Sequence, residues 1–437
     1  MTSPKFLLLW PYGVTGAESI PMSMSYLMPQ AGKVILSVSI DCSLMNIHPQ
    51  SKRFADTIRE IDPTIVGISS WSQNWAWTQT TIYNLREINP NLVIIVGGPH
   101  VTATGDIDQA DFALLGEAEL TLPRFIQELY SGKGRFELAK IPGFRYPFQP
   151  EETKTPHEPV KDLDALGLPN YDAMFLKQYQ EGGYRYRTGK TNQAPILATR
   201  GCPYSCSFCE APMLSGRKIR KHSIPYLLDL LLYLKTDYNV SHVNIVDDNF
   251  TFIKEYAKEF CEMVLRNRDK LGDMTFATPN GIRVERSDAE MFGLMKRAGW
   301  ERVIFAPESG SQRMVDIMAK HLDLGAIPGR LQMAHDAGLE VEAFFIINYP
   351  GETDEDIELT NKFLAENKFD AISLHLFKPL PHTPIWRELV ESGKISPHHL
   401  IGRYDQVDWL ANGRTIDEVQ RVMDKYQRVA GKVAKIA

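Results

Sequence analysis

Short apolar runs alternate with polar, helix-compatible stretches over the first 130 residues of the chain. The runs are β-branched or leucine-rich, and their continuous apolar character is typical of strands that are covered on both faces. The pattern predicts one open α/β domain with a parallel sheet. Its expected strands are FLLLW (6–10), KVILSVSID (33–41), TIVGISS (64–70), LVIIVGG (92–98) and FALLG (112–116).

The residues that follow these runs are candidates for a binding site. Ligands of open parallel sheets bind beyond the carboxyl ends of the strands. Four segments at these ends are therefore expected to share a rim that binds a ligand: WPYG (10–13), SSWSQ (69–73), GGPH (97–100) and GEAE (116–119).

A second run of strand and helix patterns follows a stretch rich in proline, glycine, lysine and tyrosine. Six further strand patterns, separated by amphipathic helical stretches, predict a partial (β/α)6 barrel with its site at the carboxyl ends of the strands. They are PILATRG (195–201), HVNIVDDN (242–249), MTFATPNGIR (274–283), RVIFAPESG (302–310), EVEAFFIINYPG (340–351) and AISLHLF (371–377). We expect a sheet domain at 1–135, a linker at 136–193, the barrel at 194–390 and a small helical C-terminal segment at 391–437.

Length and charge narrow the class of protein. The 437 residues favour two or three domains. The net charge of -6, without long runs of one sign, argues against nucleic acid as a partner. No apolar stretch approaches the roughly 20 residues of a membrane-spanning helix, so we expect a cytoplasmic protein.

The cysteines carry the strongest chemical signal. Three of the five lie in the loop RGCPYSCSFC (200–209), directly after the first expected strand of the barrel, with C-x3-C-x2-C spacing. Three thiolates on so compact a loop suit a cubane iron–sulfur cluster with one iron left open, whereas structural zinc normally has four protein ligands. Buried or zinc-binding cysteines are the alternative. The candidate ligands are Cys202, Cys206 and Cys209.

This loop and the strand pattern after it resemble the radical S-adenosylmethionine (radical SAM) enzymes over about residues 195–385. The resemblance implies that the three cysteines bind a [4Fe-4S] cluster and that the amino and carboxylate groups of SAM chelate the fourth iron. Reductive cleavage of SAM then gives a 5'-deoxyadenosyl radical, so that the cofactor supplies the difficult chemistry and the protein positions it.

The same resemblance extends to other positions, each with a structural alternative. Phe208 matches an aromatic near the adenine, or it packs the loop. Asp247, Asp248 and Asn249 match the segment that contacts the SAM ammonium, although Asp248 or Asn249 equally suits a helix N-cap. Arg283 matches a contact to the SAM carboxylate, and Glu308 with Ser309 a contact to the ribose; strand-end caps are the alternative.

Two late segments, NYPGET (348–353) and PLPHTP (379–384), also match the family. His382 stands where relatives usually carry glycine, which places an additional group at the barrel mouth. It is a candidate catalytic acid or base, or otherwise a solvated loop side chain.

The first domain resembles the cobalamin-binding domain that precedes the barrel in one radical SAM subgroup. The matching segments are IPMSMSYL (20–27), VGGPH (96–100) and GEAE (116–119). Glycines at 97 and 98 would let the backbone approach a nucleotide tail, because a Cβ atom there would collide with it; routine turn glycines are the alternative. The expected cobalamin-binding residues are Tyr12, Gly13, Ser69, Ser70, Trp71, Gly97, Gly98, Pro99, His100, Gly116 and Glu117.

The lower ligand of cobalt is left open by the sequence. Many cobalamin proteins offer cobalt a histidine from a D-x-H-x-x-G loop after the first strand, but here that loop reads WPYGVTG (10–16) and contains no histidine. The resemblance to the radical SAM relatives, which commonly lack it too, implies base-off cobalamin without histidine ligation. Tyr12 or a water could face the lower side, and His48 and His100 are nearby candidates. Trp71, Trp75 and Trp77 form either an apolar wall near the corrin or part of the core.

These resemblances imply an enzyme, a cobalamin-dependent radical SAM C-methyltransferase acting on an unactivated carbon of a small molecule. Its expected cofactors are a [4Fe-4S] cluster, SAM and cobalamin, and its electron donor is expected to resemble flavodoxin or ferredoxin. A non-methylating member that catalyses ring contraction, cyclisation or rearrangement is the alternative. A methylthiotransferase is disfavoured because Cys42 is the only cysteine of the first domain.

Overall fold

The computed structural model describes residues 4–13, 20–182, 190–399, 401, 407, 409–430 and 433–436, the last four by their backbone alone. The contacts within the chain divide it into two compact units. The first unit comprises Met1–Arg185, Met213–Gly216 and Pro397–Arg403, and the second comprises Tyr186–Pro212, Arg217–Ser396 and Tyr404–Ala437.

An open six-stranded sheet forms the centre of the first unit, as the apolar runs predict. Its strands lie in the order β2-β1-β3-β4-β5-β6, and all pairs are parallel except β5 with β6. The order reverses between β1 and β3, which is where sheets of this kind bind ligands. The strands are β1 (Lys5–Trp10), β2 (Leu36–Asp41), β3 (Ile65–Ser69), β4 (Val93–Gly97), β5 (Phe112–Leu114) and β6 (Phe144–Arg145).

Helices pack on the sheet through buried aliphatic side chains. Val66, Ile94 and Val96 of the central strands are fully buried and form one cluster with Ile82 and Leu85 of the third helix. The helices are α1 (Met22–Ala31), α2 (Lys52–Ile61), α3 (Trp75–Ile88), α4 (Pro99–Thr104), α5 (Thr121–Tyr130), α6 (Arg135–Leu138) and α7 (Leu176–Glu181).

The segment expected to be a linker contributes to this unit. Its residues 144 and 145 form the antiparallel edge strand, and Tyr171 and Met174 are fully buried. The Tyr179 hydroxyl donates to the buried carboxylate of Asp41 at 2.6 Å. Proline and glycine limit regular structure here to short elements such as the helix Leu176–Glu181, but they do not prevent burial. The composition therefore does not predict the packing. Residues 183–189 lie outside the described part.

The second unit contains the expected partial barrel. Parallel strands form two arcs, β11-β10-β7 and β12-β13-β14-β15, which are linked by the single bridges Phe276 to Trp300 and Ile282 to Phe305. β8 and β9 form a separate antiparallel pair. The strands are β7 (Gln193–Ile196), β8 (Thr199–Arg200), β9 (Arg220–Lys221), β10 (His242–Ile245), β11 (Thr275–Ala277), β12 (Arg302–Glu308), β13 (Glu340–Ile347), β14 (Ala371–Leu376) and β15 (Val433–Ile436).

Local signals explain where the barrel helices begin and end. For example, the Ser223 hydroxyl accepts from Tyr226 N at the start of α9, and Asn239 ends that helix in a left-handed conformation. The remaining helices are α8 (Ala211–Leu214), α9 (Ile224–Tyr238), α10 (Lys254–Arg266), α11 (Arg268–Leu271), α12 (Ala289–Ala298), α13 (Gln312–Ile317), α14 (Ile327–Asp336), α15 (Asp354–Glu366), α16 (Pro384–Glu391) and α17 (Ile416–Ala430).

The C-terminal segment is helical as predicted, apart from its end. After α17, the backbone of 433–436 adds a strand beside β14. The sequence analysis did not predict this strand. Within the described ranges, no helix combines the length and the apolar character that a membrane span requires.

Candidate active site

The cysteine loop, residues 202–209, follows β8 in the second unit and is fixed at its centre. Ser207 N donates to Met318 O at 2.9 Å, Ser207 O accepts from Ile385 N at 3.0 Å, and the Ser207 hydroxyl lies 2.7 Å from that of Tyr349. These bonds join the loop to segments after β12, β13 and β14. The loop therefore has a defined place at the carboxyl ends of the barrel strands.

The three thiols of this loop lie in a poorly solvated environment. Cys202 and Cys206 are buried and Cys209 is half-buried. Burial raises the pKa of each thiol. A thiolate therefore forms here only where a cation compensates for the lost solvation, and iron is such a cation. In the described ranges, no three His, Cys, Asp or Glu side chains are arranged to hold a single metal ion.

Asp247 holds the chain that leads into the cysteine loop. One of its carboxylate oxygens accepts from Ala198 N at 2.7 Å, and the other accepts from the backbone and hydroxyl of Thr199 at 2.8 and 2.7 Å. Burial raises the pKa of Asp247 to about 7 despite these bonds. Both oxygens are thus engaged by Ala198, just before β8, and by Thr199, the first residue of β8, so the role of Asp247 as a contact to SAM stays a prediction.

Asp248 and Asn249 extend from the same strand end towards the cysteines. Asp248 is exposed, and its charge raises the pKa of Cys202 and of Cys209, although burial has the larger effect. Asn249 is buried, and its amide nitrogen lies 4.0 Å from the Cys202 sulfur. Both side chains are therefore near the cysteine loop.

Arg283 approaches the loop from the segment after β11. Its guanidinium lies 3.6 Å from the ring centroid of Tyr204, a residue of the loop. The same group donates to Lys320 O at 2.8 Å and pairs with Glu285 at 2.5 Å. Tyr204 was not among the candidate residues, because an aromatic between two cysteines gives no signal that an arginine 79 positions later stacks on it.

Glu308 ends β12 in a left-handed conformation, with φ of 68°. Such backbone is costly for a residue with a Cβ atom and is common where surrounding contacts fix a functional group. Its carboxylate accepts from the Lys320 ammonium at 2.6 Å in a buried ion pair. The sequence analysis missed Lys320, which lies in a polar stretch without a motif.

Asp356 joins the segment ESGS (308–311), which contains Glu308 and Ser309, to the segment NYPGET (348–353). Its carboxylate accepts from the Ser311 hydroxyl at 2.6 Å and from the Thr353 backbone at 2.9 Å, and it pairs with Arg313. The Ser309 hydroxyl instead faces that of Thr360, at 3.2 Å. The spacing of Thr353 and Asp356 is a capping-box signal that could have identified this residue.

The pH dependence of stability is expected to report on this network. Burial alone would raise the pKa of Asp356, but bonds from Arg313, Ser311 and Thr353 outweigh it and hold the pKa well below its usual range. The carboxylate therefore stabilises the fold above about pH 4, which is the ordinary pKa of an aspartate in the unfolded chain. This contribution is lost as the pH falls further, towards the lower pKa of the folded state. We expect Asp356→Asn to lower the melting temperature at pH 7 and to lower the free energy of unfolding by about 1–3 kcal/mol. The difference in melting temperature between this variant and wild type should narrow towards pH 3.

Asp354→Asn is the matched control, because Asp354 lies in the same helical turn and is fully exposed. Thermal melts of wild type and both variants across this pH range provide the measurement. A gap for Asp356→Asn that is constant with pH would contradict the assignment.

His382 and Phe208 lie on one apolar cluster at the barrel mouth. The His382 ring stacks on Trp386 with centroids 4.6 Å apart, and His382 has a φ of 58°. Phe208 contacts Tyr349 edge-on at 6.4 Å and packs against the cluster that contains Trp386. The imidazole of His382 is therefore half-buried and fixed in position by Trp386, and its catalytic role stays a prediction.

In the first unit, the ends of β3 and β4 are bonded to each other. Ser70 N donates to Gly97 O at 2.8 Å, and His100 N donates to Ser70 O at 3.2 Å. Gly98 has a φ of 95°, and a Cβ atom there would lie 2.7 Å from both Ser70 N and Ser70 O. The rim itself thus requires this glycine, a reason that the sequence analysis did not give.

The hydroxyl and imidazole groups of this rim have partners within it. Ser69 lies 3.2 Å from Ser23 in α1, which brings the IPMSMSYL segment to the end of β3. Pro99 occupies the first turn of α4. The His100 ring nitrogens lie 3.0 Å from the Ser72 hydroxyl and 3.2 Å from Asp106. His100 therefore has a structural role.

The three tryptophans after β3 separate into core and rim. Trp75 is buried in the core and stacks on His100 at 4.3 Å. Trp71 meets Trp10 edge-on at 5.7 Å. Trp77 forms a mutually edge-on trio with Tyr12 and His48, at 5.1–5.3 Å.

The loop after β1 packs closely against this trio. A Cβ atom at Gly13 would lie 2.1 Å from the Trp77 ring, so this glycine permits the close approach. Residues 14–16 of the WPYGVTG loop lie outside the described part.

Gly116 and Glu117 hold the segment that follows the sheet. A Cβ atom at Gly116 would lie 2.3 Å from His157 Nδ1, and the Glu117 carboxylate accepts from Val160 N at 2.6 Å. The sequence analysis missed His157 because it belongs to the expected linker. Cobalamin contacts at Gly116 and Glu117 stay predictions.

Buried polar atoms without hydrogen-bond partners indicate whether each of the two units suits a bound cofactor. Asn249 Oδ1 and Thr278 Oγ1, at the ends of two barrel strands, have no hydrogen-bond partner within the described chain. In the first unit, Trp10 Nε1 at the end of β1 and Asn74 Nδ2 after β3 also have no hydrogen-bond partner within the described residues. Such atoms favour ligands with polar groups. The residues fit a cluster with SAM in the barrel, and a ligand rich in oxygen acceptors on the sheet.

Two family models match the chain. The model of the radical SAM superfamily matches residues 196–364, and that of the B12 binding domain matches residues 23–126. The first match includes the cysteine loop and the second includes the VGGPH and GEAE segments, in the expected order, whereas WPYG (10–13) and PLPHTP (379–384) lie outside the matches.

Curated relatives share about a quarter of their residues with the chain. An uncharacterised methyltransferase of Pyrococcus horikoshii is 27% identical, over 85% of this chain and 79% of the relative. Cytidylyl-2-hydroxyethylphosphonate methyltransferase of Streptomyces wedmorensis is also 27% identical, over 85% and 75%. Anaerobic magnesium-protoporphyrin IX monomethyl ester cyclase of Rubrivivax gelatinosus is 25% identical, over 85% and 67%.

A solved structure has the same fold. The radical SAM methyltransferase TsrM of Kitasatospora setae, with cobalamin and a [4Fe-4S] cluster bound, superposes with a TM-score of 0.72. The match covers 90% of this chain and 78% of that one at 16% identity.

Proposed function

Because the chain belongs to the cobalamin-dependent radical SAM family, we propose that it is a methyltransferase that acts on an unactivated carbon of a small-molecule substrate. The family confirms the predicted cofactors, which are a [4Fe-4S] cluster, SAM and cobalamin. When bound, these groups would supply radical removal of a substrate hydrogen and transfer of a methyl group to carbon.

The observation that carries the proposal is the cysteine loop at the carboxyl ends of the barrel strands, in a chain that also has a B12 binding domain. Cys202, Cys206 and Cys209 would hold the cluster. Asp247 fixes the backbone that enters the loop, and Ser207 fixes its centre. These groups would orient the cluster ligands.

Charged and apolar groups around the loop would prepare the space for SAM. Arg283 and Asp248 provide opposite charges near the cysteines, which suits a ligand with a carboxylate and an ammonium. Phe208 and the cluster around Trp386 provide an apolar surface. His382, stacked on Trp386, is the group that we propose to move a proton or to orient the substrate at the mouth.

Two relatives with methyltransferase names support methylation, and the name of one gives a small molecule, cytidylyl-2-hydroxyethylphosphonate. We also propose a flavodoxin- or ferredoxin-like electron donor, since the cluster must be reduced from outside the chain. The cyclase relative favours a second candidate function, a radical ring closure or rearrangement without methyl transfer.

The products of SAM distinguish these functions. We expect anaerobically purified protein, supplied with hydroxocobalamin, to contain about four irons and about one cobalt per chain. With a low-potential reductant and SAM, it should form S-adenosylhomocysteine only when cobalamin is bound, and 5'-deoxyadenosine only when the cluster is present. Both products are measured by mass spectrometry.

Protein loaded with the cluster alone is the control for this experiment. If it makes 5'-deoxyadenosine, and the cobalamin-loaded protein makes no S-adenosylhomocysteine, methylation is excluded and the cyclase-like function is favoured. Iron without cobalt binding would exclude both cobalamin-dependent functions.

A further inference from the structure

A buried lysine lies beside the cysteine loop. The Lys320 side chain is 8% exposed, and its ammonium is 2.6 Å from Glu308 Oε1. The same ammonium lies 5.9 Å from the ring centroid of Phe208, a residue of the loop. A buried cation is costly unless something nearby requires its charge, so its position beside three cysteines calls for an explanation.

The turn that carries Lys320 is bonded directly to the cysteine loop. Ser207 N donates to Met318 O at 2.9 Å, and the Ser207 hydroxyl lies 3.3 Å from Ile317 O. The residues on either side of Lys320 are left-handed, with φ of 49° at Ala319 and 53° at His321. Backbone of this kind persists where contacts fix it. The distance between Lys320 and the loop is therefore set by the fold.

Other charges near the cysteines act in the same direction. Arg283 donates to Lys320 O at 2.8 Å, which places a second cation on this side of the loop. The Lys320 ammonium lies 5.9 Å from the ring centroid of Phe208, and the Arg283 guanidinium lies 3.6 Å from that of Tyr204. Both cations thus lie against aromatic residues of the cysteine loop.

The chemistry of the proposed cluster gives this charge a role. A [4Fe-4S] cluster with three thiolate ligands is anionic, and one-electron reduction adds another negative charge. A fixed cation beside a ligand sulfur stabilises the reduced state more than the oxidised state, particularly where water is excluded. Cluster potentials depend on such nearby charges and on solvent exposure.

We propose that Lys320, held by Glu308, raises the reduction potential of the cluster bound by the cysteine loop. It is a positioning residue that acts on the cluster through the charge of its ammonium, which lies against Phe208 of the loop. This inference rests on the cluster of the proposed function, but not on cobalamin, SAM cleavage or methyl transfer.

Potentiometric titration monitored by electron paramagnetic resonance tests the proposal on the reconstituted full-length protein without SAM. Dithionite supplies the single electron. We expect Lys320→Met, with full iron content, to have a cluster whose reduced-to-oxidised ratio at a fixed potential is about tenfold lower, which is a midpoint shift of about 59 mV to more negative values. Lys320→Arg should stay close to wild type, and Glu308→Gln should shift in the positive direction.

Lys258→Met is the matched control, because it removes a lysine charge from α10, where Lys258 pairs with Glu290. It should leave the midpoint unchanged. An iron-replete Lys320→Met protein with the wild-type midpoint would overturn the inference. If Lys320→Met loses its iron, the midpoint potential of Glu308→Gln tests the inference instead. A positive shift of this midpoint supports the inference, and no shift or a negative shift overturns it. Absence of a cluster signal in wild type would instead overturn the proposed function.

Discussion

Replacing Cys202 with alanine is expected to remove the cluster and with it the cleavage of SAM. Cys202 is one of three buried or half-buried sulfurs that one loop brings together, and no other cysteine of the described chain belongs to that loop. A cluster held by two thiolates is poorly retained. We expect iron content to fall from about four per chain to less than about one, and 5'-deoxyadenosine formation to fall by about a thousandfold or more.

Cys261→Ala provides the matched control. Cys261 is a fully buried cysteine of α10 outside the cysteine loop, so its loss creates a small cavity but removes no proposed ligand. Iron content and 5'-deoxyadenosine formation are measured on both variants after identical anaerobic reconstitution. Full iron content in Cys202→Ala, or equal iron loss in the two variants, would show that the loop does not hold the cluster.

Replacing Gly98 with alanine is expected to disrupt the rim of the first unit. Its φ of 95° and ψ of -176° lie in a region that is accessible almost only to glycine. In addition, the new Cβ atom would meet Ser70 N and O at 2.7 Å, and both of these atoms are bonded within the rim. We expect the free energy of unfolding to fall by about 3 kcal/mol or more. Cobalt content should fall, and hydrogen exchange should accelerate in β3 and β4.

Gly105→Ala separates backbone strain from collision. Gly105 also has a positive φ, of 75°, but a Cβ atom there would have no atom within 4 Å. Gly105→Ala is expected to lower the free energy of unfolding by about 1 kcal/mol and to leave the cobalt content unchanged. Hydrogen exchange resolved by mass spectrometry and cobalt analysis provide both measurements. Unchanged exchange and cobalt content in Gly98→Ala would refute the expected collision.

The strands and the cysteine loop were predictable because their signals are local. A buried parallel strand requires a continuous apolar run, and the chain shows these runs in both units. The spacing of three cysteines within eight positions limits how far apart their sulfurs lie, whatever the rest of the chain does. The recognition of both cofactor-binding domains depends on such short segments.

The contacts between these segments were not predictable in the same way. Asp247 was expected to face SAM, but the structure shows both of its oxygens bonded to Ala198 and Thr199 at the start of β8. Gly98 was expected to make room for a ligand, yet a Cβ atom there would collide first with Ser70. In each case the local sequence marks an unusual position without identifying its partner.

The sequence by itself determined the two-part α/β architecture, the iron–sulfur chemistry of the cysteine loop and the presence of a cobalamin-binding sheet. Only the tertiary structure placed Lys320 beside the cysteine loop, against Phe208, and brought Asp356 into contact with two distant segments. It also brought the expected linker into the first unit, where Tyr179 reaches Asp41. The physical reason is that periodicity and spacing act over a few residues, whereas these pairs arise from the order in which strands pack, which no short segment encodes.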